Sequence, residues 1–260
     1  MMYRTLLLLL LSLGALSATD RNDFHWSGSL VPGQLLEVKG VKGTIIAEPA
    51  RGPEAEVVAS RSSSRSDPSD VEIAVIENGS GVTVCAVYPT PGGGNACQPG
   101  STGRSGNENS DINVDFIVRV PPGVRFSAWT VEGSVGAEHL SADVEAHTVT
   151  GKIDISTAGM ASASAINGSI HAILTGAVWR DSRTFSTVNG NVELELQPGI
   201  NANVHATTSG GRIDSDLPIA LHGPAKRGWF HATIGKGGPQ LKVSTVNGAI
   251  HLRQIDAPTV

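Results

Sequence analysis

The sequence predicts an all-β fold: a single-domain β-solenoid-like stack of short strand–turn–strand repeats, with a more hairpin-like N-terminal part. The 260-residue chain holds 31 glycines, with 17% charged and 4% aromatic residues, a composition typical of short strands joined by tight turns. Apolar residues alternate along several segments, which indicates half-buried strands. A glycine-centred motif recurs through the second half of the chain, which indicates stacked repeats.

The first eighteen residues have the pattern of a secretory signal peptide. Arg4 supplies a positive charge, Leu6–Leu13 forms a short apolar stretch, and small residues follow it. An uncleaved membrane anchor is the alternative, but it needs a longer apolar stretch. We therefore expect residues 1–18 to be removed. Residues 19–260 are expected to be an exported β-repeat domain, periplasmic, secreted or at the cell surface, without a transmembrane segment.

The N-terminal part of the mature chain, residues 35–120, alternates as strands do. Asp70–Glu77 and Gly81–Tyr88 flank the sequence NGS, which predicts a hairpin. Asp111–Val120 places an apolar residue at every second position with polar residues opposite, which predicts a strand with one face in the core.

Of the two cysteines, Cys85 lies in the predicted strand Gly81–Tyr88 and Cys97 lies in the second of two predicted loops. The loops, residues 59–70 and 89–110, lack periodicity, and the second is long enough to be mobile. Cys85 and Cys97 in an exported chain most simply form one disulfide. A metal pair is the chemical alternative, but the chain has no further cysteine and no C-x-x-C spacing.

Residues 121–254 contain glycine-turn repeats. Six copies read TVEGSV, TVTGKI, AINGSI, TVNGNV, TSGGRI and TVNGAI, and two of them extend to the identical pentapeptide STVNG. Successive glycines lie 17 to 22 residues apart, except for a last interval of 37 residues, which is close to two ordinary intervals. One strand–turn–strand unit cannot bury its apolar side alone and must stack on its neighbours. The turn glycines are Gly43, from an isolated earlier copy, and Gly133, Gly151, Gly168, Gly190, Gly211 and Gly248.

Each repeat has an apolar residue two positions after its glycine, and nearly every repeat has another two positions before it. We expect both to point inward, with the glycine supplying the positive φ of a tight turn or bulge. A hairpin meander and a β-solenoid rung both fit a period near 20 residues, and the regular apolar register favours the solenoid.

The residue three positions after each glycine is expected to face outward, so that rungs stacked in register would form a polar column. Imidazole and carboxylate groups suit zinc or related ions. Outward strand positions are polar in any case, and we predict no metal and no cofactor. The sequence leaves open whether the column binds anything. Its members are Asp154, His171, Glu193, Asp214 and His251, with Gly136 at the first position.

The sequence predicts no catalytic residues. Motifs of serine hydrolases, zinc proteases, thiol redox proteins and P-loop proteins are absent. Asp154, Glu193 and Asp214 form no recognisable pair for glycoside hydrolysis. A formal charge of −5 without a basic stretch argues against a nucleic-acid partner.

Four tryptophans are notable in a chain with few aromatic residues. Exposed tryptophans on a β surface can stack on sugars, but we favour the alternative that each one covers an end or a flank of the stack. They are Trp26, Trp129, Trp179 and Trp229.

The chain resembles the DUF4097 family of bacterial exported β-strand-repeat proteins, whose members are often labelled adhesins. The resemblance is carried by LLEVKGVKGTIIAE, by FIVRVPPGVRFSAWTVEGSV and by the two STVNG segments, and it spans Leu35 to Leu252. It implies an extended, solenoid-like all-β domain in the cell envelope, with no established catalytic residues. The Gly-rich segment Pro89–Ser110 departs from the plain repeat pattern.

The sequence therefore predicts a non-enzymatic secreted or periplasmic β-repeat protein that acts as a scaffold, an adhesin-like protein or a binding surface at the bacterial cell envelope. The alternatives are a carbohydrate-binding module and, less favoured, a β-helix carbohydrate-active enzyme. The expected partner is an unidentified envelope protein or glycan. Self-association through exposed strand edges stays open.

Overall fold

The structure, a computed structural model, describes residues 23–90, 95–100, 110–176, 178–222 and 228–255. The predicted signal peptide and residues 91–94 and 101–109 of the predicted mobile loop lie outside the described residues. The described residues form strands and one 3-10 helix, Pro68–Asp70, which confirms the all-β class. In chain order the strands are β1 Asp23–Ser29, β2 Leu35–Lys39, β3 Ile45–Pro49, β4 Glu54–Ser62, β5 Glu72–Asn78, β6 Gly81–Val87, β7 Asn113–Val120, β8 Arg125–Glu132, β9 Val135–Leu140, β10 Val144–Thr150, β11 Ile153–Thr157, β12 Ala161–Asn167, β13 Ile170–Leu174, β14 Arg183–Ser186, β15 Val192–Leu196, β16 Ala202–Thr208, β17 Ile213–Ser215, β18 Ile219–Leu221, β19 Trp229–Ile234, β20 Gln240–Thr245 and β21 Ile250–Gln254.

The strands form two sheets that enclose one apolar core. Sheet 1 has the strand order β1-β4-β7-β3-β9-β11-β13-β15-β21-β17, and sheet 2 has the order β18-β19-β16-β20-β14-β12-β10-β8-β2-β6-β5. Alternate residues of each strand point inward and are mostly Val, Ile, Leu and Ala, as Val144 and Ala146 in β10 illustrate. Small and branched side chains of this kind fill the narrow space between two sheets.

Seven strand pairs repeat as rungs, each made of a strand of sheet 2 followed by a strand of sheet 1. Neighbouring rungs pair in parallel and in register, so that Ile153 lies between Val135 and Ile170. Parallel pairing confirms the solenoid-like stack and excludes the hairpin meander, whose neighbouring strands run antiparallel. In spatial order the rungs are β2–β3, β8–β9, β10–β11, β12–β13, β14–β15, β20–β21 and β16–β17.

Antiparallel strands lie at both ends of the stack. At one end, β4 pairs with β1 and β7, and β5 and β6 form the hairpin predicted around NGS. At the other end, β18 and β19 lie antiparallel beside β16. β7 buries every second residue, as its alternation predicts. Residues 59–62 belong to β4 and not to the predicted loop, because β1 and β7 pair with them on both sides.

The last rung of the chain is not the last rung of the stack. β20–β21 lies between β14–β15 and β16–β17. Gly248 therefore contacts Gly190, and Gly211 is the last repeat glycine along the stack. The two STVNG segments are therefore neighbours, and Ser186 pairs with Ser244. The 37-residue interval before Gly248 holds the β18–β19 strands and the return of the chain past β16.

The repeat glycines form a column at the corner where each rung passes from sheet 2 to sheet 1. A Cβ atom on Gly190 would lie 2.2 Å from the carbonyl oxygen of Gly168, and one on Gly248 would lie 1.9 Å from that of Gly190. The expected reason for glycine, a positive φ, holds only at Gly43 and Gly151 among the seven. At the other five, glycine is required because the backbones of neighbouring rungs are in contact.

The two residues expected to point inward from each turn differ in their burial. Two positions after the glycine, side chains such as Ile153 and Val192 are fully buried, as predicted. The prediction for two positions before the glycine is wrong, because Val149 and Ile166 are 37% and 46% exposed. The turn shifts the strand alternation by one residue, so the residue three positions before the glycine points inward instead.

Threonine occupies this inward position in most rungs and binds the neighbouring rung. Thr148 Oγ1 donates to the carbonyl oxygen of Gly133 at 2.8 Å, and Thr208 Oγ1 donates to that of Gly248 at 2.8 Å. These bonds satisfy polar groups that the corner buries. In β12 the position is occupied by Ala165, which has no hydroxyl group to offer.

Candidate functional site

The outward residues at the glycine corner form a row of aliphatic side chains, named here the aliphatic row. Val188 and Val246 are 39% and 43% exposed on the outer side of sheet 2. In-register rungs place one such side chain on each successive strand, about 4.8 Å apart. Contiguous exposed apolar surface of this kind marks interaction sites. The exposed members of the row are Val149, Ile166, Val188 and Val246, and its first member, Val131, is half-buried against the core.

A second row lies beside it, two residues earlier in each strand. Ser164 pairs with Ser186, Ser186 with Ser244, and Ser244 with Thr207. The residues next to them along each strand are buried, so these hydroxyl groups point away from the core. The row that contains these four hydroxyl groups is named here the hydroxyl row. It begins at Trp129 and His147, continues through Ser164, Ser186, Ser244 and Thr207, and ends at Trp229.

The two rows enclose a cleft of about 320 Å³ at the Trp129 end. The indole of Trp129 stacks on the imidazole of His147 with ring centroids 3.7 Å apart. Trp129 Nε1 donates to Ser127 Oγ at 3.1 Å, and His147 lies 3.0 Å from Glu145 Oε1 and 2.8 Å from Ser164 Oγ. The hydrogen bond with His147 lowers the pKa of Glu145. These contacts hold both rings in fixed orientations at the end of the cleft.

A disulfide-linked segment, residues 95–100, covers sheet 2 next to this cleft. The predicted disulfide between Cys85 and Cys97 is present. Glu37 and Lys39 point outward from β2, yet they are only 2% and 7% exposed. Their burial on an outer face means that the segment lies against the sheet.

The covering segment is bound by the charged groups beneath it. Lys39 Nζ donates to the carbonyl oxygens of Gln98, at 2.6 Å, and Gly100. Glu37 Oε2 accepts from the amide of Gly100 at 3.0 Å and from Thr83 Oγ1 at 2.9 Å. Lys39 Nζ also lies 3.5 Å from Glu37 Oε1, so neither buried charge lacks a partner.

A second aromatic cluster lies at the far end of the hydroxyl row. The ring of His231 packs 4.0 Å from that of His205 and 4.7 Å from that of Trp229, measured between centroids. Burial, and then the nearby His231 and Lys242, lower the pKa of His205. The row between the two clusters contains only uncharged hydroxyl groups.

The opposite outer face, on sheet 1, carries the predicted polar column in register. Its charges have local partners: His171 lies 3.1 Å from Glu195 and 3.8 Å from Asp154, and Arg253 lies 2.9 Å from Glu193. In the described part of the chain, no group of three or more His, Cys, Asp or Glu residues is arranged to hold a metal ion. In spatial order the column is Asp154, His171, Glu193, His251 and Asp214.

The four tryptophans share no common platform. Trp26 Nε1 donates to Glu77 Oε1 at 3.1 Å, which links the edge strands of the two sheets at one end of the stack. Trp179 is 8% exposed between β13 and β14. Trp129 and Trp229 lie at opposite ends of the hydroxyl row. This distribution agrees with tryptophans that cover ends and flanks, and it disagrees with one flat aromatic surface for sugars.

Comparisons with known proteins give distant structural likenesses. No family model matches the chain, and no curated protein matches its sequence. It is similar to a "putative cell adhesion protein" from Clostridium sporogenes, with 11% identity and a TM-score of 0.48 over 90% of this chain and 100% of that one. It is also similar to a "putative adhesin" from Bacteroides fragilis, with 9% identity and a TM-score of 0.30 over 91% of this chain and 98% of that one. At these identities and TM-scores, the likeness carries no argument about what this chain binds.

No helix among the described residues has the length and apolar character needed to cross a bilayer.

Proposed function

We propose that the chain is a non-enzymatic, exported protein of the bacterial cell envelope that binds its partner, in an adhesin-like or scaffold role, through the outer face of sheet 2. The aliphatic row carries this proposal. Four of its side chains, those of Val149, Ile166, Val188 and Val246, are exposed, at positions where polar residues would serve the fold equally well. A partner that removes them from water gains the free energy of apolar burial.

Export is supported by the N-terminal pattern of residues 1–18 and by the Cys85–Cys97 disulfide, since disulfides persist in oxidising compartments. We also propose membership of the DUF4097 family, on the three motif stretches and on the rungs that these stretches form.

The absence of a catalytic role is proposed from the arrangement of the carboxylates on sheet 1. Successive acidic members of the polar column are separated by a histidine strand, which puts their backbones roughly 10 Å apart on an open sheet face. Each of these carboxylates has a basic partner, which supports a structural role for the column. The pairs are Lys152–Asp154 at 3.7 Å, Arg253–Glu193 at 2.9 Å and Arg212–Asp214 at 2.8 Å.

The test is cosedimentation of the purified protein with insoluble envelope material from the organism that encodes it. The wild type is expected to bind saturably, and the double variant Ile166→Asp with Val188→Asp is expected to bind about tenfold more weakly. The matched control is Ile46→Asp with Ile117→Asp, a neighbouring aliphatic pair on sheet 1 that is 37% and 48% exposed. Equal binding by both double variants, or no binding by the wild type, would overturn the proposal.

A further inference from the structure

The hydroxyl row runs across the strands, along the axis of the stack. From Trp129 to Trp229 it crosses six strand spacings of about 4.8 Å, or roughly 29 Å in all. Serine and threonine are shorter than the valine and isoleucine two residues later in the same strands, so the row forms the floor of a trough. The aliphatic row stands along one side of this trough, and the cleft of about 320 Å³ lies at its Trp129 end.

The chemistry of the floor selects for an uncharged ligand rich in hydroxyl groups. Each hydroxyl group can donate one hydrogen bond and accept others, as sugar hydroxyl groups do. Ser164, Ser186, Ser244 and Thr207 bring no charge, and a charged ligand would lose water there without gaining a counter-charge. Charged side chains on this face, such as Glu145 and Lys242, stand two residues before His147 and Ser244 along β10 and β20, beside the floor and not in it.

The spacing of the floor selects for an extended polymer. The four parallel strands β12, β14, β20 and β16 are in register here and present one hydroxyl group per strand spacing. A pyranose unit in an extended β-1,4-linked chain advances by about one strand spacing and is turned over relative to its neighbour, so each sugar meets one strand and every second sugar meets it in the same orientation. An α-1,4-linked chain of the same composition curves and loses this match after a few units.

We propose that the hydroxyl row binds a neutral, unbranched, β-1,4-linked polysaccharide that lies along the stack axis. The aliphatic row contacts the apolar faces of the sugar rings. The aromatic clusters at Trp129 and Trp229 limit the site to about six sugar units, given the length of the row. This inference rests on the proposed binding face and specifies its ligand.

Calorimetric titration of the purified protein with hexasaccharides tests the ligand class. Cellohexaose and chitohexaose, both β-1,4-linked, are expected to bind about tenfold more tightly than maltohexaose, which is α-1,4-linked. Affinity is also expected to fall when the β-linked hexamers are shortened to trimers, because fewer hydroxyl groups are engaged. Equal affinity for the α- and β-linked hexamers, or no binding of the β-linked ones, would overturn the proposal.

Variants of the floor locate the site. Ser186→Ala with Ser244→Ala is expected to weaken cellohexaose binding about tenfold, while Ser156→Ala, on the outer face of sheet 1, leaves it unchanged. Unchanged melting temperatures show that each variant is folded. If the hexamers do not bind but cosedimentation still depends on Ile166 and Val188, the ligand class is wrong and the binding face stands. If cosedimentation is also absent, the proposed function fails with it.

Discussion

Thr187 Oγ1 donates a 2.8 Å hydrogen bond to the carbonyl oxygen of Gly168 in the neighbouring rung. Thr245 makes the same contact with Gly190, also at 2.8 Å. Threonine and glycine of the repeat motif thus bind one corner of the stack to the next, and the valine between them is left outside. The recurrent STVNG segment therefore joins neighbouring rungs by a hydrogen bond, called here the joint, and its valine belongs to the aliphatic row.

Removing one of these hydroxyl groups is expected to lower stability measurably. Thr187→Val keeps the volume but leaves the Gly168 carbonyl oxygen without this donor, and we expect the free energy of unfolding to fall by about 1 kcal/mol in urea denaturation. The reciprocal change, Ala165→Thr, adds a donor facing Gly151 and is expected to raise it by up to about 1 kcal/mol. A neutral Thr187→Val would contradict the proposed role of the joint.

A methyl group on a column glycine is expected to be far more damaging. Gly190→Ala forces a Cβ atom to within 2.2 Å of the Gly168 carbonyl oxygen, so neighbouring rungs must separate. We expect a loss of about 3 kcal/mol in the free energy of unfolding. Gly52→Ala is the control, because nothing lies within 4 Å of its Cβ position. Equal melting temperatures for the two variants would rule out the backbone contact as the reason for glycine.

The disulfide is expected to control access to Lys39. Replacing both Cys85 and Cys97 by serine should lower stability by about 2–3 kcal/mol, since the unfolded chain gains freedom. It should also speed acetylation of the Lys39 amine, which the covering segment buries in the wild type. Mass spectrometry can follow this reaction, with Lys152, whose side chain is 72% exposed, as the internal reference. Unchanged protection of Lys39 would mean that its hydrogen bonds and those of Glu37 hold the covering segment without the disulfide.

Acid is expected to weaken the hydrogen bonds that anchor residues 64–66 to the Asp111 carboxylate. Hydrogen bonds from Ser66, first from its side chain, and from the amides of Ser64 and Arg65 hold the pKa of this carboxyl below its ordinary value of 3.8. A lowered folded pKa contributes stability that is present above the unfolded value and is lost as the pH falls toward the folded one. In unfolding measured from pH 6 to pH 2.5, the advantage of wild type over Asp111→Asn should shrink below about pH 4. An advantage independent of pH would argue against this anchor.

The stack was predictable because its glycine motif recurs at regular intervals in the sequence. The hairpin around NGS was predictable because its turn is also a short local motif. The direction of Val149 and Ile166 was not, because the turn shifts the alternation within a few residues of glycine. A signal was present: threonine stands three positions before the glycine in five of the six aligned repeats, more regularly than an outward position requires.

The position of the last rung and the covered ion pair could not be predicted from the sequence. Insertion of β20 between β14 and β16 leaves the repeat motif unchanged and depends on where the β18–β19 strands turn the chain. The burial of Glu37 and Lys39 depends on a segment about sixty residues away in the chain, so their own strand pattern gave no indication of it.

The most direct test of the binding face is hydroxyl-radical footprinting of the wild-type protein with and without envelope material. Envelope material is expected to decrease the oxidation of the aliphatic row. It should leave the oxidation of Ile46 and Ile117 unchanged, although these residues have similar exposure on the opposite face. Equal protection of both faces, or protection of Ile46 and Ile117 alone, would contradict the assignment of sheet 2 as the binding face.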